Sequence, residues 1–123
     1  MGALTTTYVS GVNYTPWGAV EDMTMASSHW EQTCYNNRMQ ATGILLRTQA
    51  PMAGCPATNN ELQLTFGYTA GANNGNIASQ TVSDGASWSI SQSYGYDALN
   101  RLQRAEEPGS AGWMQTYGYD QWG

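Results

Sequence analysis

One histidine stands in this chain, His29, in the stretch SSHWEQ with Ser27, Ser28 and Glu31 around it. A base between a hydroxyl and a carboxylate is the core of acyl-transfer chemistry, but the three groups must be assembled in space around an oxyanion site. Sequence neighbours on an alternating strand do not supply that arrangement, and no G-x-S-x-G nucleophile elbow occurs. A solvated or interface histidine is the expectation. A small hydrolase working through His29 is a third function class, behind a scaffold and a carbohydrate-binding module.

Two carboxylate pairs, Glu21/Asp22 and Glu106/Glu107, raise glycosidase chemistry. Adjacent strand residues point to opposite faces, whereas that mechanism needs two carboxyl groups roughly 5 to 9 Å apart across one sugar. They are expected to be solvated loop residues, and no catalytic residue is assigned. Nothing follows the Ca²⁺-loop spacing D-x-[DN]-x-[DN]-G, and Cys34 and Cys55 have no CxxC or Cys/His neighbour, so neither metal nor cofactor is expected. The cysteines lie 21 positions apart. A bridge between them would contribute on the order of 3 kcal/mol. Two buried free thiols are the alternative, and the one preferred.

Flat rings are the remaining chemical resource: Trp17, Trp30, Trp88, Trp113 and Trp122, with Tyr94 and Tyr117. Indoles stack on the C–H faces of sugars while Asn, Gln and Asp take the hydroxyls, so a sheet with exposed rings can bind polysaccharide. Packing between layers or at oligomer contacts is the plainer expectation for such side chains.

The elements that would carry these residues are strands and turns. Polarity comes from Asn, Gln, Ser, Thr and Tyr, with 14 Gly as punctuation, a mixture that disfavours helix. At 123 residues the chain has room for one domain, 1–123, which if compact would bury roughly two-thirds of its unfolded surface. The net charge is −5 and the only cations besides His29 are four arginines, a poor footprint for nucleic acid or an anionic membrane. No apolar run approaches the roughly 18 residues of a membrane span, and the N-terminus has no signal-peptide pattern. Gly2 with Thr6 makes one short match to a myristoylation pattern.

Internal repetition organises the chain. Five segments (12–20, 33–40, 64–80, 92–103 and 115–123) share an aromatic-bearing alternating run, a turn rich in Asn or Gly, and an aliphatic restart. Their anchors, Tyr14, Tyr35, Tyr68, Tyr96 and Tyr119, are spaced by 21, 33, 28 and 23 residues, within the range of repeat architectures. In LQLTFGY, Leu62, Leu64, Phe66 and Tyr68 share one face by period two, and Asn73, Asn74 and Gly75 then tolerate positive φ in a turn. Asp97 can accept a backbone N–H within its own turn. A helix over YDALNRLQRAEE, capped by Asp97 with Leu99 and Leu102 three apart, is the competing expectation.

YGYDALNRLQRAEEPG and YGYDQWG, with the looser FGYTAGANNGNIASQ and CYNNRMQ, resemble the YD repeats of rearrangement-hotspot (Rhs) proteins, of insecticidal toxin-complex C components and of teneurins. The Tyr-Asp…Asn-Arg-Leu pattern is carried by Tyr96, Asp97, Asn100, Arg101 and Leu102, and its last copy by Tyr119, Asp120 and Gly123. Two units depart from it: Tyr35 is followed by Asn36 and a turn two residues shorter, and Tyr68 by Thr69. The resemblance implies an all-β fold of consecutive antiparallel hairpins in one curved sheet, a segment of a shell or barrel with no catalytic residues, cut from a longer array. Asn37, Gly75, Asp97, Asn100 and Asp120 would be turn-forming residues. It further implies a secreted or cell-surface parent and, from the glycan binding suggested for teneurin-like repeats, a possible polysaccharide ligand. Unpaired strand edges template association, so a homo-oligomer through sheet edges is expected.

Overall fold

The computed structural model describes residues 7–26, 28–56, 60–85 and 87–122; Gly2, Thr6, Ser27 and Gly123 lie outside them. The alternating runs fold into nine strands: β1 (Val9–Tyr14), β2 (Val20–Met25), β3 (His29–Tyr35), β4 (Ala41–Arg47), β5 (Asn60–Tyr68), β6 (Ile77–Ser83), β7 (Ser89–Tyr96), β8 (Leu102–Glu107) and β9 (Trp113–Thr116). All pair antiparallel with their sequence neighbours, giving one open sheet in the order β1 to β9. The expected alternative helix is not formed: Asp97 to Arg101 make a turn and Leu102 to Glu107 a strand. Leu99, which would have anchored the helix, is exposed in that turn. Among the described residues, no helix is long and apolar enough to cross a membrane.

Strand period two gives this sheet two unlike faces. Cross-strand partners share a face, so the register of Ile44 with Leu64, Leu46 with Leu62, Leu64 with Val82 and Val82 with Ile90 draws an apolar row from β4 to β7. On the opposite face Gln63, Thr65 and Gly67 meet Ser83, Thr81 and Ser79, which in turn meet Ser89, Ser91 and Ser93. Gly67 leaves room for the facing serine in that row, because a Cβ there would lie 2.2 Å from Ser79 Oγ and would make that hydroxyl turn away.

Among the described residues, one patch has a second layer. The β4–β5 connection folds back over β3 and β4, where Gln32, Cys34, Gly43, Leu45 and Arg47 are buried at alternate positions. Three ties hold it: the Cys34–Cys55 disulfide, an exchange of hydrogen bonds between the Gln32 amide and the Met52 backbone (3.0 and 3.4 Å), and Arg47 Nη2 donating to Pro56 O (2.6 Å). The cysteines, read from the sequence preferentially as free thiols, are thus bridged, because the fold-back carries Cys55 onto the β3 face that presents Cys34.

Elsewhere the sheet is a single layer, and its surface area says so. The chain exposes 8380 Å² for 13.3 kDa, against about 6,450 Å² for a compact monomer of that mass. It therefore buries roughly 57% of its unfolded surface rather than two-thirds. The same geometry removes one of the two placements expected of the indoles, between layers: Trp17, Trp88, Trp113 and Trp122 are exposed and Trp30 is half-buried.

A bulge recurs at four of the five anchor tyrosines. Register shifts fall between Asn13 and Tyr14, Cys34 and Tyr35, Gly67 and Tyr68, and Gly95 and Tyr96. Each leaves one extra residue on the return strand, respectively Glu21, Thr42, Ala78 and Gln103. Such insertions bend a strand and break strict alternation.

Candidate functional site

The anchor tyrosines do one repeated job. The hydroxyls of Tyr35, Tyr68 and Tyr96 donate to the carbonyls of Val20, Ala41 and Ile77 at 2.8, 2.8 and 2.9 Å, and Tyr119 donates to Leu102 O. Each acceptor is the first residue of the even-numbered strand beside that tyrosine, so every hairpin is stapled to the one before it. Tyr14 has the same place in the first hairpin, but its hydroxyl has no partner among the described residues and the residue is exposed.

The turns between stapled strands share a plan. The Asp97 N–H donates to Arg101 O, while Asp97 Oδ1 accepts from the Leu99 and Arg101 N–H groups at 2.8 and 2.9 Å. Its Oδ2 pairs with Arg101 Nε at 2.7 Å. The Arg101 N–H, ahead of the guanidinium and the Leu99 N–H, holds this carboxyl below the usual carboxylate range. Asn36 fills the same role, its Oδ1 accepting from Arg38 and Gln40 N–H and its own N–H donating to Gln40 O. Thr15 repeats it with Ala19. The fourth turn residue is left-handed each time: Asn100 at φ 62°, Met39 at 62° and Gly18 at 89°. The turn after Tyr35 is therefore as long as the one after Tyr96, correcting the shorter turn expected from the sequence. Its capping residue is Asn36, and Asn37 is an exposed position within it.

Amides tie successive turns together. Asn73 and Gln40 exchange side-chain bonds at 2.7 and 3.1 Å, and Arg38 donates to Asn73 O. Asn100 Oδ1 receives the amides of Asn74 (2.6 Å) and Asn76 (3.1 Å). Gly75, at φ 100°, donates its N–H to Asn73 Oδ1, and Asp120 Oδ1 accepts from the Trp122 N–H. Arg101 also lies over the Tyr119 ring, 4.4 Å from its centroid, so one side chain joins a turn carboxylate to the next tyrosine.

A concavity of about 790 Å³ lies between the first turn and the disulfide-tied fold-back. Tyr14, Trp17, Glu21, Asp22, Gln32 and Tyr35 are among its walls. Trp17 and Tyr35 meet edge to face, ring centroids 5.7 Å apart and planes at 88°. Glu21 and Asp22 border this one groove because Glu21 is the bulged residue, so the opposite-face argument made from alternation does not hold for that pair. It does hold for Glu106 and Glu107, which pair with Met114 and Trp113. The Ser93 hydroxyl, then Arg104, lowers the Glu106 pKa. Of the five tryptophans, only Trp17 lines the groove.

His29 has the partners that its sequence neighbourhood withheld. Ser28 Oγ lies 3.0 Å from Nδ1, and Nε2 pairs with Glu61 at 3.1 Å. Glu61, not Glu31, is the acid, and it reaches the histidine from a bulge that no local spacing announces. The surroundings do not make this an acyl-transfer centre: both side chains are well exposed, and the Ser28 N–H donates to Met25 O rather than facing an oxyanion. Among the described residues, no group of three His, Cys, Asp or Glu side chains is placed to hold a metal. No protein-family model and no curated protein matches this chain.

Proposed function

We propose that the chain is a non-catalytic structural strip of the YD-repeat kind, whose job is enclosure or surface display. The observation that carries the reading is the tyrosine staple, made four times with the same donor and acceptor positions. A side chain repeated at every hairpin serves the array, whereas a catalytic group is needed once. The apolar row, half-buried from Ile44 to Val82 and exposed at Ile90, fits a sheet that works as a wall, with that face turned toward something else. The disulfide supports a secreted or cell-surface setting, since such bridges persist in oxidising compartments. The tryptophans favour the strip over a polysaccharide platform, because they do not converge on one surface.

Self-association through the sheet edges belongs to this reading. β9 presents Trp113 to Thr116 without a lysine or proline to discourage pairing, whereas β1 carries an extra irregularity around Gly11, at φ 58°. Hydrogen exchange at two protein concentrations tests it. Outward amides of β9 are expected to gain protection at the higher concentration while the centre of the sheet is unchanged. Equal exchange of β9 at both concentrations would remove edge pairing.

A further inference from the structure

The staples align the repeats residue by residue, and that alignment exposes a difference at the first turn. The residue before each staple acceptor is Ala19, Gln40, Asn76 or Arg101, one position ahead of the carbonyls that accept from Tyr35, Tyr68, Tyr96 and Tyr119 respectively. In the last of these the guanidinium of Arg101 stacks on the tyrosine ring beside the Asp97 carboxylate. At the first turn the corresponding residue is a methyl group, and next to it lies the groove of about 790 Å³.

That groove has rings and carboxylates of the kinds that Arg101 meets, without an arginine, although Thr15 stands in its turn where Asp97 does in the other. Tyr35 and Trp17 stand at right angles, forming an aromatic corner. Tyr35 is held by its hydroxyl bond to Val20 O, and Trp17 sits in a turn closed by Thr15 and Ala19. Exposed Tyr14 adds a third ring, and Glu21 and Asp22 supply negative charge. Asp22 accepts a bond from Asn13 at 2.8 Å, while Glu21 is exposed. No Arg or His is among the residues lining the groove, and the chain has no lysine to enter it. The fold-back wall is fixed by the disulfide and the Gln32–Met52 bonds.

We propose that this groove binds an organic cation, a quaternary or alkylated ammonium group seated against Trp17 and Tyr35 and faced by Glu21 and Asp22. Ring faces attract such a group through their quadrupole, and alkylation lowers its hydration so that it leaves water readily. The two carboxylates disfavour anionic ligands. The inference uses only the groove and the repeat alignment, so it stands or falls separately from the strip reading.

The test follows the Trp17 indole N–H cross-peak by NMR during titration of the full chain at constant ionic strength. Probes are tetramethylammonium, choline and an amidated acetyl-trimethyl-lysine, with 3,3-dimethylbutanol as neutral isostere and cellobiose and xylotriose as neutral sugars. A saturable shift with the cations is expected, with affinity at least about fivefold above that of the isostere. A response to choline or to trimethyl-lysine alone would still support the site and would identify whether a small quaternary ammonium ion or an alkylated side chain is its natural source. Glu21→Gln is expected to weaken cation binding, and Ala19→Arg to abolish it by placing a guanidinium over Tyr35 as Arg101 lies over Tyr119. An unchanged spectrum elsewhere shows that each variant is folded. Equal affinity for the isostere, a response to sugars alone, or no saturable shift with any cation would overturn the proposal.

Discussion

Removing one staple hydroxyl is the sharpest perturbation of the repeat logic. Tyr96→Phe deletes the 2.9 Å bond to Ile77 O and leaves the ring in place. A hydrogen bond of this kind contributes about 1 kcal/mol net. With an unfolding entropy of roughly 2.1 cal/mol/K per residue, a chain of 123 residues loses about 4 °C in Tm for each 1 kcal/mol. Tyr68→Phe is expected to match it, because its hydroxyl makes the same bond at 2.8 Å. Tyr14→Phe is the internal control, and its Tm is expected to stay within about 1 °C, since that hydroxyl has no partner to lose. Thermal denaturation by circular dichroism at fixed protein concentration reads all three. The Tyr96 staple also has a pH signature. Desolvation, followed by the charge of Tyr94, raises the Tyr96 pKa above its ordinary value of 10.0. A raised folded-state pKa gives stability that is fully present below the unfolded value and is lost as pH rises through the folded one. Wild type is therefore expected to lose stability in the alkaline range, and Tyr96→Phe to lack that component. Equal effects at Tyr14 and Tyr96, or none at Tyr68 and Tyr96, would refute the staple as a stabilising unit.

Reducing the Cys34–Cys55 bridge is expected to remove about 3 kcal/mol, or about 12 °C in Tm, read by scanning calorimetry with and without reductant; an unchanged Tm would show that the fold-back holds without it. In acid the lowered pKa values of Asp97 and Glu106 give stability that is present above their unfolded values, near pH 4, and is lost as pH falls through the folded ones. Asp97→Ala with Glu106→Gln is expected to flatten that acid limb in urea titrations run from pH 6 down to pH 3, and an unaltered slope would count against both interactions. His29→Ala is expected to leave ester hydrolysis at the wild-type level, whatever that level is; a loss confined to this variant and to Ser28→Ala would restore a hydrolytic role for the Ser28–His29–Glu61 arrangement.

The hairpins were legible in the sequence because each rests on a local signal: period two in LQLTFGY, the turn residues of ANNGN, and a Tyr with an oxygen-bearing residue after it. Asp97 was legible as a turn acceptor for the same reason. Its equivalents Asn36 and Thr15 were not, since a shared geometry was hidden behind three different side chains. Bulges were also invisible, because one extra residue on the return strand leaves the composition untouched, yet it brings Glu21 and Asp22 to one groove. Glu61 reaches His29 across the sheet and Cys55 reaches Cys34 through a fold-back, and sequence neighbourhood carries no information about either. Packing of the indoles between layers was not legible, because rings imply a second layer only where the fold builds one. Leu99 and Leu102 suggested a helix until the Asp97 turn separated them, one in the loop and one opening β8.

Whether this single-layer strip stands alone is answered by its mass in solution. Light scattering over a hundredfold concentration range is expected to give a defined dimer or larger species, at least twice the 13.3 kDa of the chain, with Gln115→Lys on the β9 edge shifting it toward monomer. A clean 13.3 kDa species at every concentration would contradict assembly through open edges, and with it the reading of this chain as a strip that completes its sheet with copies.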